Sequence, residues 1–193
     1  MKYLWQAFLK SSYSLKPAKG FTLVEAMVTV LLFSLILGAC LGILLSGSDS
    51  WQVNGVAVEL QQELRKTMDW MKEDLVEGGV STIPTPPAVG SVPADDNWYT
   101  TVVFKTSNGV SSGGSIIWST DTIQFLRAGS DGNQLIRRSG GTDKVIAQDI
   151  TSLLIRRQVA TPTVVEVALE AQKDTLKGTT VTADMDFQIK LRN

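Results

Sequence analysis

Lys19-Gly20-Phe21-Thr22-Leu23-Val24-Glu25 opens an apolar run that continues to about Leu45. From Phe21 to Leu45 the run has 25 residues and a single charged side chain, Glu25, four residues after Phe21. As a helix it would be roughly 37 Å long, enough to cross the ~30 Å hydrocarbon core of a bilayer. A membrane anchor explains the length but not Glu25. A carboxylate inside a membrane helix costs a few kcal/mol and usually has a partner or a task. Its place about one turn into the run lets snorkelling to the interface reduce that cost. Gly38 and Gly42, spaced i, i+4, read equally as a close-packing face and as a local weakening of the helix.

The segment before the run carries Lys2, Lys10, Lys16 and Lys19 and no acid, a charge of +4. The remainder has 14 basic and 19 acidic side chains, a net −5 that argues against nucleic-acid binding. Residues 1–20 have no continuous apolar core before Gly20, unlike a secretory signal. Positive charge beside an apolar span keeps that end cytoplasmic.

Beyond Leu45 the helical pattern persists on one face only. Val53, Val56, Leu60, Leu64, Met68, Met71 and Leu75 recur at three- and four-residue spacing, which predicts an amphipathic helix to Glu77. Glu59, Glu63, Lys66, Asp69, Lys72, Glu73 and Asp74 read as its solvated face. Ser46-Gly47-Ser48-Asp49 is a soft spot, where Ser48 or Asp49 could cap a separate second helix. An unbroken helix over 21–77 would extend about 85 Å. Gly78-Gly79 ends it, and residues 78–97, with four prolines, form a long loop that either packs on the domain or stays mobile.

From Trp98 onward the chain reads as seven or eight antiparallel strands. Thr120-Asp121 is expected to turn Ser115–Ser119 into Thr122–Ala128, and Gly129–Asn133 and Gly140-Gly141 form further turns. Alternation is clear in 165–170 and 185–191. The fold class is therefore α+β, a long N-terminal helix on a C-terminal antiparallel β-sheet domain. Its segments are 1–20, 21–45, 46–77, 78–97 and 98–193.

Catalytic signals are missing from the sequence. It has no His, no nucleophile elbow, no phosphate loop and one cysteine, Cys40, which reads as a small packing residue. No cofactor or metal motif is found. Asp95-Asp96, Asp131 and Asp143 have calcium-ligand chemistry, but Asp also favours turns on its own account. Arg137-Arg138 and Arg156-Arg157 lie on strands, point to opposite faces and read as solvated or edge residues. Trp51, just past the apolar run, fits an interfacial anchor.

Lys19 to Glu25 with the span behind it resembles the processing and methylation motif of type IV pilins and type II secretion pseudopilins. The resemblance is close over residues 16 to about 45 and loose beyond. It implies cleavage by prepilin peptidase between Gly20 and Phe21, with Lys16 and Lys19 in the leader, and N-methylation of Phe21. It implies that Glu25 meets the terminal amine of a neighbouring subunit during assembly. It also implies a pilin-like fold. Implied partners are the peptidase, other pilin or pseudopilin subunits, an inner-membrane assembly platform and lipid. The leader would be cytoplasmic and the C-terminal domain periplasmic or otherwise extracytoplasmic. Gly42 falls where many pilins carry a helix-breaking Pro, so a softer break is expected. The single Cys cannot close the C-terminal disulfide loop of many major pilins. The layout resembles J-type minor pseudopilins and W-type minor pilins, and Glu25 departs from the K-type. The expected function is a minor, non-enzymatic structural subunit. The alternatives are a major or DNA-uptake pseudopilin and, in another class, an unprocessed membrane-anchored sensor or binding ectodomain.

Overall fold

The computed structural model describes residues 20–129 and 131–192. Lys16 and Lys19 lie outside the described residues. Helix α1 runs Leu23–Glu77 without interruption. Gly42 and the Ser46–Asp49 stretch remain helical, so neither the softer break nor a second cap appears. The chain forms two compact units, Met1–Ser48 and Asp49–Asn193.

In the first unit the apolar helix buries nothing. Phe21, Leu23, Phe33, Leu35, Ile43 and Leu45 are all more than half exposed, and Cys40 is also exposed. The helix is long and apolar enough to cross a membrane. Such a surface requires lipid or other apolar helices around it.

In the second unit α1 buries Leu60, Leu64, Thr67, Met71 and Leu75. The expected apolar face is thus shifted at one turn, where Thr67 replaces half-buried Met68. Thr67 can be buried because its hydroxyl donates to the Glu63 carbonyl (2.7 Å). Against this stripe pack Phe104, Phe125, Leu135, Leu153, Ile155 and Leu169, in a core shared by the sheets.

Among the described residues nine strands follow the helix: β1 Thr101–Phe104, β2 Ser107–Val110, β3 Ile116–Trp118, β4 Ile123–Ala128, β5 Gln134–Ser139, β6 Thr142–Ala147, β7 Ile150–Arg157, β8 Val164–Asp174 and β9 Thr180–Lys190. They form an antiparallel four-stranded sheet β1-β4-β5-β6, a β2-β3 ribbon and an antiparallel three-stranded sheet β7-β8-β9. The expected hairpin about Thr120-Asp121 does not form. β3 pairs with β2, and β4 pairs with β1 and β5. The Ser119 N–H donates to Thr106 (2.9 Å), holding β3 to the preceding strand. β1–β2 and β3–β4 are therefore the two arms of one hairpin, interrupted at Lys105-Thr106 and Ser119–Thr122.

Gly78-Gly79 docks into that interruption. Gly78 bridges Thr106, Gly79 bridges Arg192, and the Gly79 N–H donates to the Lys105 carbonyl (3.3 Å). A Cβ on Gly79 would lie 2.3 Å from the Trp118 ring, and one on Gly78 would lie 2.8 Å from Phe104. The double glycine ends the helix and also lets two aromatic rings close over the chain.

The loop after the helix packs on the domain rather than standing off it. Val80–Thr82 form a 3-10 turn, and Ile83, Ser91 and Val92 are buried. The Val103 N–H donates to Gly90 (3.0 Å), and the Tyr99 backbone pairs with Ile155 (2.8 and 2.7 Å). That last bridge joins the strip before β1 to the β7 edge.

Candidate functional site

The site is built from Gly20 to Glu25. Thr22 is the N-cap of α1: its Oγ1 accepts from the Glu25 N–H (3.2 Å), and its carbonyl accepts from the Ala26 N–H (3.1 Å). Thr22-Leu23-Val24-Glu25 is a capping-box sequence, a helix-start signal present in the chain. Thr22 is a functional position that its S/T-x-x-E spacing to Glu25 marks in the sequence. Capping fixes Glu25 in the first turn, where the helix dipole favours negative charge. Phe21 directly precedes the cap and is 77 % exposed.

Polar groups along the apolar run divide into two kinds. The Thr29 hydroxyl donates to the Glu25 carbonyl (2.7 Å), and the Ser34 hydroxyl donates to the Leu31 carbonyl (2.8 Å). Each hydroxyl is thus satisfied by its own helix, as a membrane segment requires. An ionised carboxylate cannot use helix carbonyls, because it only accepts. Among the described residues Glu25 has no ion-pair partner.

Gly20 stands just outside the helix, and a Cβ there would meet nothing within 4 Å. The fold itself does not demand glycine at this position. Gly38 and Gly42 also face open space.

The remaining charged residues of interest have structural partners. The expected solvated face of α1 is in part a docking face. Arg137 grips Asp74 with two hydrogen bonds (2.6 and 3.0 Å), Lys173 pairs with Glu59 (2.6 Å), and the Gln148 N–H donates to Glu63 (2.9 Å). The arginine pairs are not simply solvated. Arg138 forks onto Asp143 (2.6 and 2.8 Å), and Arg156 pairs with Glu166 and lies 4.3 Å from the Trp98 ring centroid. Arg157 is buried and donates to the Pro162 (2.8 Å) and Val92 (3.0 Å) carbonyls. Burial lowers the pKa of Arg157 from its ordinary value. Neighbouring residues likewise occupy the loop carboxylates Asp95 and Asp96. Asp95 accepts from the Tyr99 hydroxyl (2.6 Å) and Asn97, which hold its pKa below the usual value, and the bond to Asp95 raises that of the phenol. Asp96 accepts from the Val159 N–H (3.0 Å).

Residues 15–41 match the family described as the prokaryotic N-terminal methylation motif. Searches of curated proteins and of solved structures find no match to the chain. The motif implies processing by prepilin peptidase and assembly with other pilin subunits, in a family of structural subunits. Together with the long apolar helix it fits a membrane-anchored protein. The chain thus carries the N-terminal methylation motif of the type IV pilin and pseudopilin family, on a long N-terminal helix whose second half packs against antiparallel sheets in a pilin-like α+β arrangement.

Proposed function

We propose that this chain is a minor pilin-like (pseudopilin) structural subunit that assembles into or primes a type II secretion pseudopilus or a type IV pilus. Prepilin peptidase cuts between Gly20 and Phe21 on the cytoplasmic side and methylates the new Phe21 amine. Residues 21–45 then hold the subunit in the inner membrane beside the assembly platform, with the β domain outside the cytoplasm. During assembly the same helix leaves lipid for a bundle of like helices.

The observation that carries this reading is Glu25. It is a carboxylate on a fully exposed apolar helix, beside hydroxyls that satisfy themselves on their own backbone. An ammonium from a neighbouring Phe21 supplies the missing donor, and a paired ammonium and carboxylate cost less in a low dielectric than either alone. Gly20 supports the cleavage step, since nothing in the fold asks for glycine there. The minor-subunit assignment rests on the packed Pro-rich loop, the β-rich domain and the single cysteine.

The test is Glu25→Ala in cells that express the peptidase and the platform. The variant should be processed to the same size as the parent and be depleted at least tenfold from sheared or cross-linked filaments. Incorporation at the parental level would rule out the amine–carboxylate pairing.

A further inference from the structure

Two Asn-Gly pairs occur in the chain, Asn54-Gly55 and Asn108-Gly109. All four residues are exposed. An asparagine side-chain amide can be attacked by the backbone nitrogen of the next residue. Glycine at that position favours the attack, because it has no Cβ to hinder the approach and its backbone turns freely. The fold treats the two pairs in opposite ways. Gly55 lies inside α1, where helix geometry directs its N–H to the carbonyl four residues back. The dihedrals on both sides of that bond are fixed, so the nitrogen cannot turn onto the Asn54 Cγ.

Asn108-Gly109 lies on β2, at a bulge. Ser107 pairs with Trp118 and Val110 with Ile116, so Asn108 and Gly109 together stand opposite Ile117, and neither has a register partner on β3. The Gly109 N–H is turned onto the Ser107 Oγ of its own strand (3.4 Å), longer than a usual N–H···O bond. Gly109 has a φ of 116°, and a Cβ built there would meet nothing within 4 Å. The peptide link between the two residues is thus outside the ladder and has open space in which to rotate. From Thr106 to Thr120 the chain carries no charged side chain.

We propose that Asn108-Gly109 is a site of spontaneous covalent modification, which places a carboxylate on the otherwise uncharged β2–β3 ribbon. The Gly109 nitrogen loses its proton and attacks the Asn108 Cγ. The Cγ–Nδ2 bond breaks, and ammonia leaves with the proton. Water, the only co-reactant, then opens the cyclic imide at one of its two carbonyls. Opening at the backbone carbonyl gives isoaspartate, and opening at the side-chain carbonyl gives aspartate. In isoaspartate the main chain runs through the former side chain and gains one carbon. The bulge accommodates that carbon because it has no register pairing to lose. Asn54, with the same neighbour and the same exposure, is protected by its helix.

Peptide-resolved mass spectrometry of the full chain in detergent tests this. The chain is held at neutral pH in its folded form and, in parallel, unfolded in guanidinium chloride, and conversion of each asparagine to the acid is followed with time. Unfolded, the two pairs should convert at similar rates. Folded, Asn108 should stay within a few-fold of its unfolded rate, while Asn54 should slow by more than an order of magnitude. The product at position 108 should contain more isoaspartate than aspartate, read by labelling with an isoaspartyl methyltransferase. Its rate of formation should rise with pH, because the attacking nitrogen must lose its proton. Slowing of Asn108 on folding as strong as that of Asn54 overturns the proposal. Aspartate without isoaspartate, or a rate that does not change with pH, means direct hydrolysis of the side chain and overturns the attack by Gly109.

Discussion

Removing Asp74 should weaken the grip between helix and sheet by about 2–3 kcal/mol. Arg137 reaches Asp74 with Nε (2.6 Å) and Nη2 (3.0 Å), and the two side chains are 23 % and 16 % exposed. An exposed ion pair is worth about 0–1 kcal/mol, whereas breaking a fully buried one costs about 3–5 kcal/mol. This pair is bidentate and mostly covered, so Asp74→Ala falls between the limits. It leaves a mostly covered guanidinium without its carboxylate. The hydrogen bonds to Asp74 are also the main reason that the Arg137 pKa is raised. The assay is urea unfolding of a chain beginning at Asp49, which holds the whole core, followed by tryptophan fluorescence. Asp74→Ala, Arg137→Ala and the double variant close a cycle, with an expected coupling of about 1–2 kcal/mol. Additive single costs, or an Asp74→Ala loss under about 0.5 kcal/mol, would refute the docking role. Asp143→Ala is the internal contrast: its pair with Arg138 is 43 % exposed on both sides, so the unfolding midpoint should barely move.

Three further outcomes follow from the same geometry. Leu64→Ala, at a fully buried site on the helix stripe, should cost about 2–5 kcal/mol in the same unfolding assay. Gly90→Ala should cost at least about 2 kcal/mol, because Gly90 has a φ of 80° and a Cβ there would lie 2.2 Å from Val103; Gly114→Ala, with open space around it, should lose only the backbone term. Asp95 and Tyr99 set opposite ends of a pH window. The depressed Asp95 pKa contributes stability above the unfolded value near 3.8, lost as pH falls through the folded pKa. The raised Tyr99 pKa contributes stability below 10.0, lost as pH rises through the folded pKa. Tyr99 is the one tyrosine in a chain starting at Phe21, so its ultraviolet titration should lie above 10.0 and return toward that value in Asp95→Ala.

The helix and the site were legible in the sequence because each rests on local chemistry. The apolar run, the three- and four-residue spacing and the lone carboxylate need no knowledge of what packs where. Strand pairing was less legible. Ser107-Asn108-Gly109-Val110 has little β character, so β2 went unseen, and without it β3 was assigned to β4. Glu59, Glu63 and Asp74 looked solvated because their partners, Lys173, Gln148 and Arg137, are 63 or more residues away. Thr67 was missed because a threonine on an apolar stripe is buried only when its hydroxyl bonds back to the helix. Thr22 is different: its capping role is written in four consecutive residues.

In the proposed function Gly20-Phe21 is a processing junction. Mass spectrometry of the chain isolated from membranes of a strain with active prepilin peptidase addresses it directly. The expected result is an N-terminal peptide that begins at N-methylated Phe21, with residues 1–20 gone. A chain that keeps its Met1 terminus in that strain would contradict it and leave an unprocessed membrane-anchored ectodomain in its place.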